Sequence, residues 1–269
     1  MRKSIFYIGM LVLMLATATC VDAASGHSHP IMKVSNSHGM HTMMNPLTSI
    51  STIQTYNWAG YSVDGATGSV TDVKGSWIVP TINTTTPDQY GCHWIGIDWD
   101  NSATVEQIGI DTDTDDDGNP YYYAWYGCYP DSGDVIDMTI SPGDVLKAEV
   151  NYTGGNFVLS LVDVTTSASF SITQPDNSYA RSSAEWIVEA PMCDDVLPLV
   201  NFGTEKFGQN YTQVSNTCKA TISGQTKTIG AFSAINKIVM INYSSQVKAQ
   251  PSTLSTDGSS FQVQWVRAS

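Results

Sequence analysis

Histidine is almost absent from the main body of this chain: of five, only His93 lies beyond residue 41. A serine or cysteine triad needs a base, most often His, so His93 alone would have to serve. Neither Gly-x-Ser-x-Gly nor His-Glu-x-x-His occurs. Basic residues are scarce as well. Twelve Lys and Arg face 25 Asp and Glu, leaving a formal net charge of −13 and a pI near 4.5. Phosphate backbones need cationic partners, so nucleic acid is excluded as a ligand. With charged residues at only 14%, few carboxylates are committed to salt bridges that acid would break, which suits work at low pH. There is no Cys-x-x-Cys or His-x-x-x-His spacing to hold zinc, and no residue pattern calls for a metal or a cofactor. After residue 18 no run is apolar enough to cross a bilayer. No long amphipathic helix pattern is present either.

The first residues have the features of an export signal. Arg2 and Lys3 are followed by an apolar stretch from Ile5 to Ala18, with small residues for cleavage before Ala24. Residues 1–23 are therefore expected to be a signal peptide and the protein to be secreted. Residues 24–52 carry four of the five histidines together with Met, Ser and Asn, and read as a removable pro-segment whose histidines charge below about pH 6.5. Cys92, Cys128, Cys193 and Cys218 remain after cleavage. In an exported chain an even count points to disulfides, with Cys92–Cys128 and Cys193–Cys218 the expected pairs. Asn83, Asn151, Asn210 and Asn242 open Asn-x-Ser/Thr triplets.

From residue 53 to the end, short runs rich in Val, Ile, Thr, Tyr and Trp recur between turn residues. Such spacing predicts one all-β sandwich or barrel, and the hydrophobic share of 42% supplies a core. Fourteen strands are predicted: Trp58–Val63, Val70–Val79, Tyr90–Asp98, Val105–Asp111, Tyr121–Tyr129, Val135–Ile140, Val145–Tyr152, Phe157–Val164, Ser167–Ile172, Ser182–Glu189, Ala220–Ser223, Lys227–Ala231, Ile238–Asn242 and Phe261–Val266. Asp113 to Gly118 resembles the start of a calcium loop, but position twelve is Ala124 instead of Glu; it reads as an acidic hairpin tip. Asp131-Ser132-Gly133 is a single copy of a motif that works only as a pair of carboxylates, and reads as a turn.

The strand Ser183 to Glu189 is the most informative. Side chains alternate between faces with period two. Ala184, Trp186 and Val188 form an apolar set; Glu185, Ile187 and Glu189 share the other face. A carboxylate on a rigid strand is held accurately enough for proton transfer, although a solvated acidic face is the plainer reading. Glu185 and Glu189 are about 13 Å apart at 3.3 Å per residue. That is too far for a glycosidase pair, though either could pair with a carboxylate on a neighbouring strand such as Asp98.

Several segments, in order, resemble one family. They are Tyr56-Asn57-Trp58-Ala59-Gly60, Val73 to Pro80, Trp94-Ile95-Gly96-Ile97-Asp98, Glu106 to Asp111, Ala124-Trp125-Tyr126 with Tyr129-Pro130, Ala184 to Glu189, and Asn201-Phe202-Gly203 with Phe207. The family is that of the glutamic peptidases, the eqolisins of peptidase family G1. The resemblance implies two antiparallel sheets in a lectin-like β-sandwich and a monomeric, pepstatin-insensitive acid endopeptidase acting on protein or peptide substrates. Matching positions imply Gln107 and Glu189 as the catalytic dyad: ionised Glu189 would take a proton from water and Gln107 would stabilise the oxyanion. Trp94, Asp98, Trp125, Tyr129 and Glu185 would contact substrate. The chain departs from the family at Gly127 (usually Glu), Tyr123 (often Asp), Cys128 (usually a large side chain) and Glu106 (usually apolar). A lectin-like module that binds sugar or peptide without cutting it, or a glycoside hydrolase on the same sandwich, is the alternative.

Overall fold

The computed structural model describes residues 50–98, 102–131 and 133–269. The expected signal peptide and nearly all of the expected pro-segment lie outside the described residues. The elements run, in chain order, β1 (Ile50–Thr55), β2 (Trp58–Asp64), β3 (Val70–Ile78), β4 (Cys92–Ile97), β5 (Val105–Thr114), β6 (Pro120–Tyr129), β7 (Gly133–Ile136), β8 (Val145–Thr153), β9 (Asn156–Asp163) and β10 (Ser169–Pro175). There follow β11 (Ser183–Glu189), the two-residue strands β12 (Met192–Cys193) and β13 (Asp195–Val196), β14 (Thr204–Gly208), a single helical turn at Gln209–Thr212, β15 (Lys219–Ile222), β16 (Gln225–Thr228), β17 (Ile235–Ile241), β18 (Val247–Pro251) and β19 (Ser260–Trp265). Twelve of the fourteen predicted strands are present with ends shifted by a few residues; the other two survive only in part, since Ile229–Ala231 forms a short 3-10 turn after β16 and β7 ends at Ile136. The calcium-like segment is the tip of the β5–β6 hairpin, where Asp115 accepts the backbone N–H groups of Asp117 and Asn119.

The strands form two layers. One runs β7–β6–β5–β4–β11–β2–β17–β1. The other runs β18–β19–β14–β3–β8–β9–β10, with β15 and β16 extending from β3 beside β14. The layers are continuous through the β17–β18 pairing, where the register shifts between Met240 and Ile241. Pairing between these strands is antiparallel except at one edge, where β1 runs parallel to β17. β1 begins at Ile50, so the sheet already holds three residues that the sequence reading assigned to the pro-segment.

Period-two alternation explains the second layer. In β8 and β9, Leu146, Ala148, Val150, Phe157, Leu159 and Leu161 face inward, while Lys147, Glu149 and Asn151 face out. The inward set meets Ala59, Tyr61, Ile95, Ile108, Ala184, Trp186 and Val188 from the first layer. The first layer breaks that rule. All six residues of β4 and all seven of β11 are buried, on both faces. Its second face carries a separate apolar cluster of Ile53, Trp58, Cys92, Trp94, Val105, Trp125, Ile187 and Ile238, flanked by Tyr123 and Tyr129. A sheet face lined by aromatics, away from the interlayer core, is the outstanding feature of the fold.

The expected disulfides are not formed. Cys92, Cys128 and Cys218 are all free and buried. Cys92 and Cys128 stand on opposite faces of their sheet, by the register that pairs Cys92 with Asp111 and Glu106 with Cys128. Their side chains therefore diverge, and no bridge can form.

Candidate active site

Register places the candidate residues on that aromatic face in three successive rows. The first reads Trp58, Glu189, Cys92, Asp111, Tyr123 across β2, β11, β4, β5 and β6. The second reads Gly60, Ile187, Trp94, Gly109, Trp125 and, on β7, Val135. The third reads Ser62, Glu185, Gly96, Gln107, Gly127, Gly133. Gln107 and Glu189 thus share one face, two strands and two rows apart. By ordinary strand spacing their backbones stand about 10 Å apart across the sheet and about 13 Å along it. Trp94 occupies the position diagonally between them.

Two glycines, Gly109 in the same row and Gly96 in the next, leave room for the Trp94 indole. A Cβ on Gly109 would come within 2.5 Å of the Trp94 Cβ and 2.3 Å of the His93 carbonyl oxygen. A Cβ on Gly96 would stand 3.0 Å from Trp94 Cζ3. One end of the indole therefore reaches toward Gly96 and the Gln107 row. The other end donates Nε1–H to Glu189 Oε2 at 3.0 Å. Trp58 packs edge-on against Trp94, with ring centroids 4.7 Å apart.

Glu189 is 2% exposed and Gln107 3%. Asn57 Nδ2 donates to Glu189 Oε1 at 3.2 Å. Burial pushes the Glu189 carboxyl up to about 8; hydrogen bonds from Trp58, Trp94 and Asn57 pull the other way, and the charge of Asp111 adds to the rise. Below neutrality the resting carboxyl is protonated. The expectation was an ionised Glu189 with an ordinary acidity; the strand carries that side chain into a dry, aromatic surround, which favours the neutral form. Gln107 Oε1 is buried and has no hydrogen-bond partner among the described residues.

The remaining candidates divide. Trp125 donates Nε1–H to Asp111 Oδ1 at 2.6 Å, and the Tyr123 hydroxyl donates to Asp111 and to Asp113. Tyr129 is half-buried on the same face, beside Val105. Glu185 is fully buried in the Gln107 row. Asp98 is also fully buried, and its carboxylate accepts the backbone N–H groups of Arg181 and Ser182 and the hydroxyls of Ser182 and Thr104. Its acceptor positions are filled by the protein itself, so it clamps the chain leading into β11. Glu106, next to Gln107, points into the interlayer core. It is fully buried, and neither oxygen has a partner among the described residues. Burial, reinforced by Asp98, Glu185 and Asp176, holds it well above the usual carboxyl range.

The sequence reading gave Asn57, Trp58 and Asp111 no role at the site. Asn57 and Trp58 lie in a motif that it did single out, but only the β2–β11 register sets Trp58 opposite Glu189.

A family model for the Peptidase A4 family matches residues 56–262. The chain belongs to this family, that of the glutamic peptidases. It is 31% identical to aspergillopepsin-2 of Aspergillus niger over 177 residues, which are 56% of this chain and 62% of that protein. The match thus spans a little under two thirds of that relative. The crystal structure of aspergilloglutamic peptidase from Aspergillus niger superposes with a TM-score of 0.55 at 29% identity, covering 66% of this chain and all of that one. Scytalido-glutamic peptidase, solved with a peptide-based transition-state analogue, superposes at 0.65 with 24% identity, covering 78% of this chain and 98% of that one; at that identity the likeness speaks for the β-sandwich fold. No helix among the described residues is long and apolar enough to cross a membrane.

Proposed function

We propose that this member of the Peptidase A4 family is a secreted, acid-acting endopeptidase that cleaves protein substrates with Gln107 and Glu189. One observation carries the reading. The two residues lie on the same aromatic-lined face of the sheet, on either side of Trp94.

The burial of Glu189 decides the order of proton movements. A peptide bound over Trp94 presents its carbonyl oxygen to the Gln107 amide, which donates a hydrogen bond but cannot ionise. As water adds to the carbonyl carbon, protonated Glu189 gives its proton to the carbonyl oxygen. Its other oxygen takes one from the attacking water. The product is a neutral gem-diol, and Glu189 is again protonated. Glu189 then protonates the leaving nitrogen and recovers a proton from one diol hydroxyl as the C–N bond breaks. Each proton lent is returned, so no ionised base is needed in acid. Gln107 contributes by stabilising charge that builds on the carbonyl oxygen.

The test is hydrolysis of a protein substrate at acid pH by the full chain and by two variants. Glu189→Gln should lower kcat by at least about 10²–10⁴. Gln107→Ala should lower it by about 10²–10³. Both should keep the wild-type circular dichroism spectrum and melting transition. Near-normal turnover by either folded variant would end the assignment of the dyad.

A further inference from the structure

β5 carries Asp111 in the Glu189 row of the aromatic face and Asp113 one row beyond, paired with Tyr121. The chemistry proposed above uses neither. The Tyr123 hydroxyl lies 2.5 Å from Asp111 Oδ2 and 3.1 Å from Asp113 Oδ2. A phenol has one hydrogen to give, so both contacts are satisfied together only if one carboxyl carries a proton of its own. The distances say which. A bond of 2.5 Å is that of a hydroxyl on a carboxylate, and Asp111 Oδ1 takes a second short bond, from Trp125 Nε1–H at 2.6 Å. The longer contact belongs to Asp113, which gives its own proton to the phenol oxygen. Asp113 is 2% exposed. Burial first, then the charge of Asp111, raise its carboxyl well above the usual range, against the pull of the Gly91 N–H and the hydroxyls of Tyr123 and Tyr121.

Across the sheet from Asp111 stands Cys92, and beyond it Glu189. Burial first, then the charges of Asp111, Glu189 and Asp113, hold the Cys92 thiol well above its ordinary range; it stays protonated and hydrogen-bonds to Asp111. Among the described residues, the titratable groups on the strands facing Glu189 are thus Cys92 from β4, Asp111 and Asp113 from β5, and Tyr121 and Tyr123 from β6; β2 offers Trp58, and Asn57 precedes it. In acid and neutral solution Asp111 is the charged member of this set.

We infer that Asp111 is a positioning residue for the reaction: hydrogen bonds from Tyr123, Trp125 and Cys92 hold it as a carboxylate, with Asp113 its protonated partner across the Tyr123 hydroxyl, and its charge keeps Glu189 in the protonated form. The inference rests on the peptidase reading for the use to which that proton is put. By ordinary strand spacing the Asp111 and Glu189 backbones, two strands apart in one row, stand about 10 Å from each other. A unit charge at that distance, in a surround of effective permittivity near about 20, is worth about one pH unit.

The experiment uses the full chain and the variants Asp111→Asn, Asp113→Asn and Glu189→Gln. Each is read against pH by difference infrared spectroscopy of protonated carboxyls, and by kcat/KM on a protein substrate. The band missing in Glu189→Gln reports that residue, and in the wild type it should fade with a midpoint at about 8. Asp111→Asn should bring that midpoint, and the falling limb of kcat/KM, down by about one pH unit. Asp113→Asn replaces one neutral donor by another. It should leave both midpoints in place and delete one protonated-carboxyl band at about pH 6, above the ordinary carboxyl range. An Asp111 with a purely structural role would lower activity without moving either midpoint. Unmoved midpoints in folded Asp111→Asn overturn the inference. So does an Asp113→Asn protein that keeps every band, an outcome that decides the matter even where Asp111→Asn does not fold. A chain that cleaves no protein, yet shows the infrared midpoint lowered in Asp111→Asn, would keep the carboxyl pairing and remove the peptidase reading.

Discussion

At the scale of single residues, the state of Glu189 depends on a contest between burial and its donors. Asn57 and Trp94 hydrogen-bond its two oxygens and favour the charged form; the dry surround favours the neutral one and prevails. If the protonated carboxyl starts the reaction, kcat/KM should be level through acid pH and fall as pH rises toward about 8. A limb that climbs between about pH 3 and pH 6, the range of an ordinary carboxyl, would show instead that the ionised form works. Asn57→Leu removes a donor that favours the charged form, so the falling limb should move to higher pH; a shift to lower pH would contradict the assigned contact. The chemistry-bearing residues were legible because Gln107 and Glu189 sit in short motifs whose order is specific. Their acidity was not, because it depends on which residues stand across the sheet, and Asn57 and Glu189 are 132 positions apart.

At the scale of elements, β11 joins the groove to the core. One face carries Glu185, Ile187 and Glu189; the other sends Trp186 into the interlayer core, where its Nε1–H reaches the Lys74 carbonyl oxygen at 2.9 Å. Trp186→Ala should cost about 3–5 kcal/mol by leaving a cavity and an unpaired carbonyl. Chemical denaturation would show the loss, and a cost under about 1 kcal/mol would mean that the layer packs without it. Period-two alternation exposed this division of labour in the sequence, and it placed the strands well. It was silent on what lies against the acidic face, since a carboxylate facing water and one facing tryptophans have the same pattern. Hence the plain reading of a solvated strand fails for Glu185 and Glu189, both buried. Asp98 was similarly opaque: the family resemblance offered it as a substrate contact, and only the return of the chain at Arg181 and Ser182 reveals the hydrogen bonds its carboxylate accepts.

For the whole molecule, the buried carboxyls set a pH window for stability. Glu189, Glu106 and Asp113 all have acidities raised mainly by burial. A carboxyl raised on folding contributes stability in full below its unfolded value, about 4.3, and loses that contribution as pH rises through its folded value, about 8 for Glu189. The net charge of −13 adds repulsion in the same direction. The melting temperature should therefore be higher near pH 4 than near pH 8. Glu106→Gln, which removes one ionisable group from the core, should flatten that dependence; an unchanged or steeper dependence would show that folding does not hold the Glu106 carboxyl above its unfolded range. The acid character was legible in composition. The disulfide pairs were not, because cysteine spacing says nothing about which face of a sheet each thiol occupies.

If the leader is removed by proteolysis, the parallel edge pairing of β1 with β17 limits where the cut can fall. Ile53 belongs to the aromatic face, and every residue of β1 is in register with β17. A maturation cut beyond Ile50 would strip hydrogen-bond partners from a sheet margin and uncover part of the groove floor. Peptide sequencing of an acid-shortened form should accordingly find a first residue no later than Ile50. A form beginning at Tyr56 would be a destabilised one, with an unguarded strand open to association with other chains.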